Sequence, residues 1–186
     1  MHGFPPLPQK AWPRWGTRRK LILSAMVDAR VTKCLTAKRE SRAVEFKEQF
    51  VPTDPRQSLE ILKDIVAISN SGGGALAVGI DNAGQATGGN VRPTLDYDHA
   101  KYCDLIRKYT NQNFADFEVV EAEKDGHAGA IFLIEPPDYP LVFEKPGTYP
   151  IEGIKHQQTA FAQGTIFSVT APRPNLPQRT ISEDSW

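Results

Sequence analysis

Between Gln57 and Ser69 apolar residues recur at Leu59, Ile61, Leu62, Ile65, Val66 and Ile68, the spacing of a helix with two partly apolar faces. Asn70 and Ser71 suit a helix end, and Gly72, Gly73 and Gly74 supply positive φ or a close backbone approach. Ala75 to Ile80 is a short apolar run that reads as a buried strand. Asp81-Asn82-Ala83-Gly84 is a turn signal. The pattern therefore predicts helix, tight turn, strand, tight turn. Asp81 is delivered at a strand end beside glycine-rich backbone, a place that suits a functional carboxylate or a phosphate contact.

The flanking patterns extend this unit. Val27 to Ala37 predicts a short helix with Val31, Cys34 and Leu35 inward. Val44-Glu45-Phe46-Lys47 alternates like a half-buried strand, with Val44 and Phe46 on one face and Glu45 and Lys47 on the solvent face. Pro52 to Pro55 is a loop. Leu95 to Asn113 predicts a second long helix with Tyr102, Leu105, Ile106 and Tyr109 as its inner stripe. Asp116 to Glu123 and Ala128 to Ile134 predict a hairpin closed by Asp125-Gly126. Leu141 to Phe143 and Thr148 to Ile151 read as short edge strands around Pro146-Gly147. Ala160-Phe161 and Thr165 to Phe167 complete the ordered core. The order helix–strand–helix–strand–helix–hairpin indicates an α/β (α+β) domain built on a single mixed β-sheet flanked by helices, with disordered N- and C-terminal tails.

Composition adds a charge asymmetry. The chain has 22 basic and 22 acidic residues. Residues 1–25 hold five of the bases (Lys10, Arg14, Arg18, Arg19, Lys20) and no acid. The remainder thus has 17 bases against 22 acids, a net −5 that disfavours unspecific polyanion binding and requires any nucleic-acid site to be a local basic patch. Cys34 and Cys103 have neither metal spacing nor a disulfide framework, so free thiols in a reducing cytoplasm are expected. No apolar run has the length of a membrane span. Arg18-Arg19 followed by Leu21-Ile22-Leu23 is not an export signal, because the apolar stretch ends at Asp28 and Arg30. The division expected is a disordered basic tail over 1–25, a domain over 26–167 with Met26 as the start, and a disordered tail over 168–186.

Three motifs appear in order: Glu40-Ser41 with Glu45-Phe46-Lys47; Ala67 with Asn70-Ser71 and Gly73-Gly74; and Gly79-Ile80-Asp81-Asn82 with Gly84. Together they resemble the Schlafen/AlbA-like DNA-binding domain family, whose pattern is E-S-x-x-x-E-F-K, then A-x-x-N-[ST]-x-G-G, then G-[VI]-[DE]-[DN]-x-G. The segment from Pro140 to Gly153 also looks like bacterial members, and the resemblance covers roughly residues 27–167. The resemblance implies a bacterial, cytoplasmic nucleic-acid-binding domain with a role in DNA-linked or transcription regulation. Phosphate would be met by Lys47 and Arg42 and by the turn of Asn70, Ser71, Gly72, Gly73 and Gly74. In Schlafen-type nucleases, three acids corresponding to Glu40, Glu45 and Asp81 hold a divalent metal, Mg²⁺ or Mn²⁺, that cleaves RNA. The resemblance thus leaves open a metal-dependent endoribonuclease with these three as catalytic and metal-ligating residues. Against it stand plainer roles: ion pairs for Glu40 and Glu45, and turn formation for Asp81. A protein-interaction module without nucleic-acid chemistry is the third reading. ATP hydrolysis is not expected, since no Lys-Ser/Thr follows the glycines and the run leads into a strand. After Phe167 the chain departs from the family's R-x-G and continues through Pro172, Pro174 and Pro177, so residues 168–186 read as an out-of-frame tail.

Overall fold

A computed structural model describes residues 29–151, 153 and 157–169. The expectations for residues 1–25, for Met26 and for 170–186 lie outside them. Helix α1 occupies 29–36 of the described residues. It is followed by β1 (Val44–Lys47), α2 (Pro55–Asn70), β2 (Gly74–Val78), α3 (Arg92–Leu95), α4 (His99–Thr110), β3 (Phe117–Lys124), β4 (His127–Ile134), β5 (Gly147–Tyr149) and β6 (Gln158–Phe161). The expected order is thus observed, with one mixed four-stranded sheet in the order β1-β2-β4-β3. Strands β1 and β2 are parallel, and the other two pairings are antiparallel. Beside this sheet lies a small two-stranded ribbon of β5 and β6; β5 overlaps the edge strand expected over Thr148 to Ile151, whereas Leu141 to Phe143 forms no strand and contributes only a bridge from Phe143 to Thr165.

Every residue of β2 is buried, as its unbroken apolar run demands of a strand covered on both faces. One face carries Leu76, Val78, Phe132 and Ile134 against the apolar stripe of α2, with Tyr102 and Ile106 of α4 and Phe161 of the ribbon. The other face carries Val44, Phe46, Ala75, Ala77, Ile131 and Leu133 against Cys34 of α1. Burial pushes the Cys34 thiol up to about 11, slightly opposed by Lys124, so it is an inert core group and no nucleophile.

Helix α2 begins where Asp54 accepts the Gln57 amide at 3.0 Å and Pro55 takes the first helical position. The second long helix is shorter than expected. Asp98 caps the Ala100 amide at 2.9 Å, so α4 starts at His99 and the preceding turn closes separately as α3. Asn111, at φ 55°, ends α4 in the left-handed conformation. The β3–β4 hairpin turns on Asp125 (φ 52°) and Gly126 (φ 79°), the two positive values that a tight primed turn requires.

Candidate functional site

Strand β1 is an edge strand, and residues preceding it cover its outer side. The carbonyls of Ala43 and Lys47 bond the amides of Ala75 and Gly79, so Val44 and Phe46 turn their backbone outward. Ser41 exchanges two bonds with Val44, at 2.8 and 3.2 Å, and Glu40 Oε1 accepts the Phe46 amide at 3.2 Å. Glu40 and Ser41 thus cap the donors of an edge that would otherwise recruit another strand.

Glu45 and Lys47 share the opposite strand face from Val44 and Phe46, as the alternation required. That face does not open to solvent. It turns toward α2, where Lys47 Nζ lies 2.7 Å from Glu45 Oε1 and 2.9 Å from Asp64 Oδ2. The three side chains are 30, 25 and 16 % exposed. Asp64 Oδ2 is buried and meets the ammonium at ion-pair distance, outside hydrogen-bond geometry. Burial raises the Asp64 carboxyl to about 6, more than the neighbouring Lys47 lowers it. Burial works against the Lys47 charge too, but Asp64 and Glu45 together outweigh it and push the ammonium above its usual value. Lys47 gains two carboxylate partners, whereas the burial of Asp64 outweighs its share of Lys47 and the weaker help of Lys63.

Asp81 lies beyond β2, where its Oδ1 accepts the amides of Ala83 (2.9 Å) and Gln85 (2.8 Å). It holds the turn. Among the described residues no three His, Cys, Asp or Glu side chains are grouped to hold a metal ion. Glu40 at the strand edge, Glu45 beneath α2 and Asp81 in its turn are not brought together. The carboxylates as placed do not fit a shared Mg²⁺ or Mn²⁺.

The N-S-G-G-G turn closes the carboxyl end of α2. Gly72 and Gly73 amides donate to Ser69 O (3.1 Å) and Ile68 O (3.0 Å), so these two N–H groups face the helix and not a phosphate. Asn70 is a clamp. Its Nδ2 donates to Leu141 O (2.9 Å) and Phe167 O (3.1 Å), and its Oδ1 accepts Leu141 N (2.8 Å). Ser71 Oγ donates to Ala67 O and accepts the Val169 amide at 2.7 Å, so the described residues continue in contact with the domain two positions past Phe167. Arg42 donates to Ser71 O at 2.9 Å. A Cβ on Gly74 would sit 2.5 Å from Ala43 O, whereas one on Gly72 would meet nothing within 4 Å at φ +100°. Gly74→Ala is therefore expected to cost about 2 kcal/mol by forcing β1 and β2 apart, and Gly72→Ala about 1 kcal/mol from backbone strain alone. Urea midpoints of the two variants check this order.

Two concavities flank these residues. A notch of about 160 Å³ is lined by Arg30 and Lys33 of α1, by Val44, by Gly72 to Gly74 and by Glu135. An open groove of about 600 Å³ runs between the start of α2 and the ribbon, with Lys47 and Arg56 set against Asp54 and Glu60. That mixture of charge does not collect phosphate. Tyr149 and Phe143 are core residues, Phe143 stacking on Phe161 at 3.8 Å. His99 Nε2 donates to Phe117 O at 3.0 Å, a local contact.

Sequence reasoning missed Asp64, Arg30 and Lys33. Asp64 could have been found as the one acid on the face shared by Ile61, Ile65 and Ile68. No helix among the described residues is long and apolar enough to cross a membrane.

The family model described as Schlafen, AlbA_2 matches residues 40–169. No curated protein matches the chain significantly. Among solved structures, the DIP2311 protein from Corynebacterium diphtheriae aligns at 19 % identity over 73 % of this chain, with a TM-score of 0.44. This chain spans 26 % of that one.

Proposed function

Because the chain belongs to the Schlafen AlbA_2 family, we propose that it is a nucleic-acid-binding domain with a DNA-linked regulatory role in the cytoplasm. Its phosphate contacts are basic side chains on the approach to β1. One observation carries this reading. Residues 30–42 hold Arg30, Lys33, Lys38, Arg39 and Arg42 against the single acid Glu40, in a chain whose charges otherwise lean acidic. The residues after α1 run beside the outer edge of β1: Ala37 and Lys38 approach Gly84, Ser41 bridges Val44, and Arg42 reaches Ser71. Lys33, Lys38, Arg39 and Arg42 are exposed, and cations in a row track a phosphate backbone. Lys47 is left out of this interface, since its charge is held between Glu45 and Asp64. Metal-dependent cleavage is not part of the proposal, because it needs three convergent carboxylates and Glu40, Glu45 and Asp81 are engaged apart from one another.

Fluorescence anisotropy with single- and double-stranded DNA and RNA, over a salt series, tests the reading. The expected result is binding that weakens linearly in log–log form. Joint replacement of Lys38 and Arg39 by Ala should lower the slope by about 1.4 on single strands and about 1.8 on duplex DNA. An unchanged slope in that variant, or no binding of any of the four ligands at low salt, would remove the proposal.

A further inference from the structure

We infer that the notch between α1 and the Gly72–Gly74 turn seats one phosphate group of the bound strand, with Lys33 as its charge. This rests on the nucleic-acid reading above and locates one contact within it. Size is the first argument. At about 160 Å³ the notch falls below the roughly 300–1,000 Å³ of pockets that hold whole small molecules, so it fits a single group and not a nucleotide.

Electrostatics is the second. A helix carboxyl end ordinarily repels anions through its unpaired carbonyls. At the end of α2 those carbonyls are covered: Ile68 O and Ser69 O take the amides of Ser71, Gly72 and Gly73, and Ser71 O takes the Arg42 guanidinium. The Arg42 charge offsets part of the repulsion, and Arg42 leaves further donors at the exposed rim.

The third is the arrangement of the two α1 cations. Arg30 Nη2 pairs with Glu135 at 2.7 Å, and Nη1 reaches Ile134 O at 3.4 Å. Glu135, the acid lining the notch, is thus neutralised, and Arg30 fixes α1 against the end of β4. Lys33 lies one turn further along α1 on the same wall, and no carboxylate among the described residues pairs with it. Arg30 is the positioning residue and Lys33 the contact. Gly72 is the glycine whose missing side chain leaves open space for a phosphate oxygen, since at Gly73 and Gly74 that direction is filled by Ile134 O and Ala43 O.

A short single-stranded oligonucleotide is the probe, with two readouts: anisotropy across a salt series, and the backbone amide resonances of Gly72, Gly73 and Gly74. Lys33→Ala, an exposed change that leaves the core intact, is compared with the unmutated chain and with Lys145→Ala as a distant control. The expected result is that the oligonucleotide shifts the glycine resonances and that Lys33→Ala abolishes those shifts. The same variant should lower the salt slope by about 0.7, and Lys145→Ala should change neither. Binding with unmoved glycine resonances and an unchanged slope in Lys33→Ala overturns the notch and leaves the nucleic-acid reading standing. Absence of binding by the unmutated chain overturns both.

Discussion

Asn70→Ala is expected to destabilise the domain by about 3 kcal/mol. The Asn70 amide fills both of its roles inside the fold, donating to Leu141 O and Phe167 O and accepting from Leu141 N. Truncation leaves one N–H and two carbonyls without partners, and each unsatisfied group at a half-buried site costs on the order of 1 kcal/mol or more. The better helix propensity of Ala returns only about half a kcal/mol. The loss should be local as well as global, because both segments that Asn70 holds, around Leu141 and Phe167, lie far from it in sequence. Urea unfolding should show a lower midpoint at unchanged slope. Hydrogen exchange should show the Leu141 amide losing protection before the amides of β2. A cost below about 1 kcal/mol with Leu141 still protected would mean that the clamp is incidental. Asn70→Asp keeps the acceptor for Leu141 N but sets a carboxylate oxygen against Leu141 O and Phe167 O, so at neutral pH it should cost at least as much as the alanine variant.

The same residues show what a single sequence can and cannot reveal. The helix–turn–strand unit around the glycines was legible because its signals are local. Apolar period and breaker residues each act within a few positions, and they agreed with one another. The hairpin at Asp125-Gly126 was legible for the same reason. The overlong second helix shows the limit, since Asp98 competes locally as a cap against a helical pattern that runs on through it. The motif residues were found, but their duties depend on partners distant in sequence. Glu40 meets an amide six residues on, Asn70 a segment 71 residues on, and Ser71 one 98 residues on. A pattern in which Glu40, Glu45 and Asp81 fall in order says nothing about whether they meet, and here strand edge, strand face and turn keep them on separate duties. Arg30 and Lys33 escaped notice because a basic residue on a short amphipathic helix looks like any solvated face until a concavity is seen beside it.

Lys47→Met is the second large effect expected, about 2–3 kcal/mol of lost stability at pH 8. Removing one partner of a buried ion pair typically costs 3–5 kcal/mol. The lower figure follows because all three side chains keep 16–30 % exposure, which lets water screen the remaining charges. The methionine fills the lysine's path beneath α2, so the loss is one of charge and not of volume. The pH dependence separates this account from simple misfit. Asp64 titrates near 6 in the folded chain, above the usual carboxylate value, because its burial outweighs the help from Lys47. A raised carboxyl binds its proton more tightly when folded than when unfolded. Its contribution to stability is therefore fully present below the unfolded value near 4 and is lost as pH rises through 6. Without Lys47, Glu45 and Asp64 face each other with only the weaker influence of Lys63, and Asp64 holds its proton to higher pH still. The deficit of Lys47→Met relative to the parent should thus shrink between pH 8 and pH 5, where Asp64 carries its proton in both proteins. Adding Asp64→Asn to Lys47→Met should recover a substantial part of the loss at pH 8 and little at pH 5, a coupling that the double-mutant cycle measures directly. A deficit of equal size at both pH values, with no recovery in the double variant, would show that Lys47 supports the fold by packing and not by standing between two carboxylates.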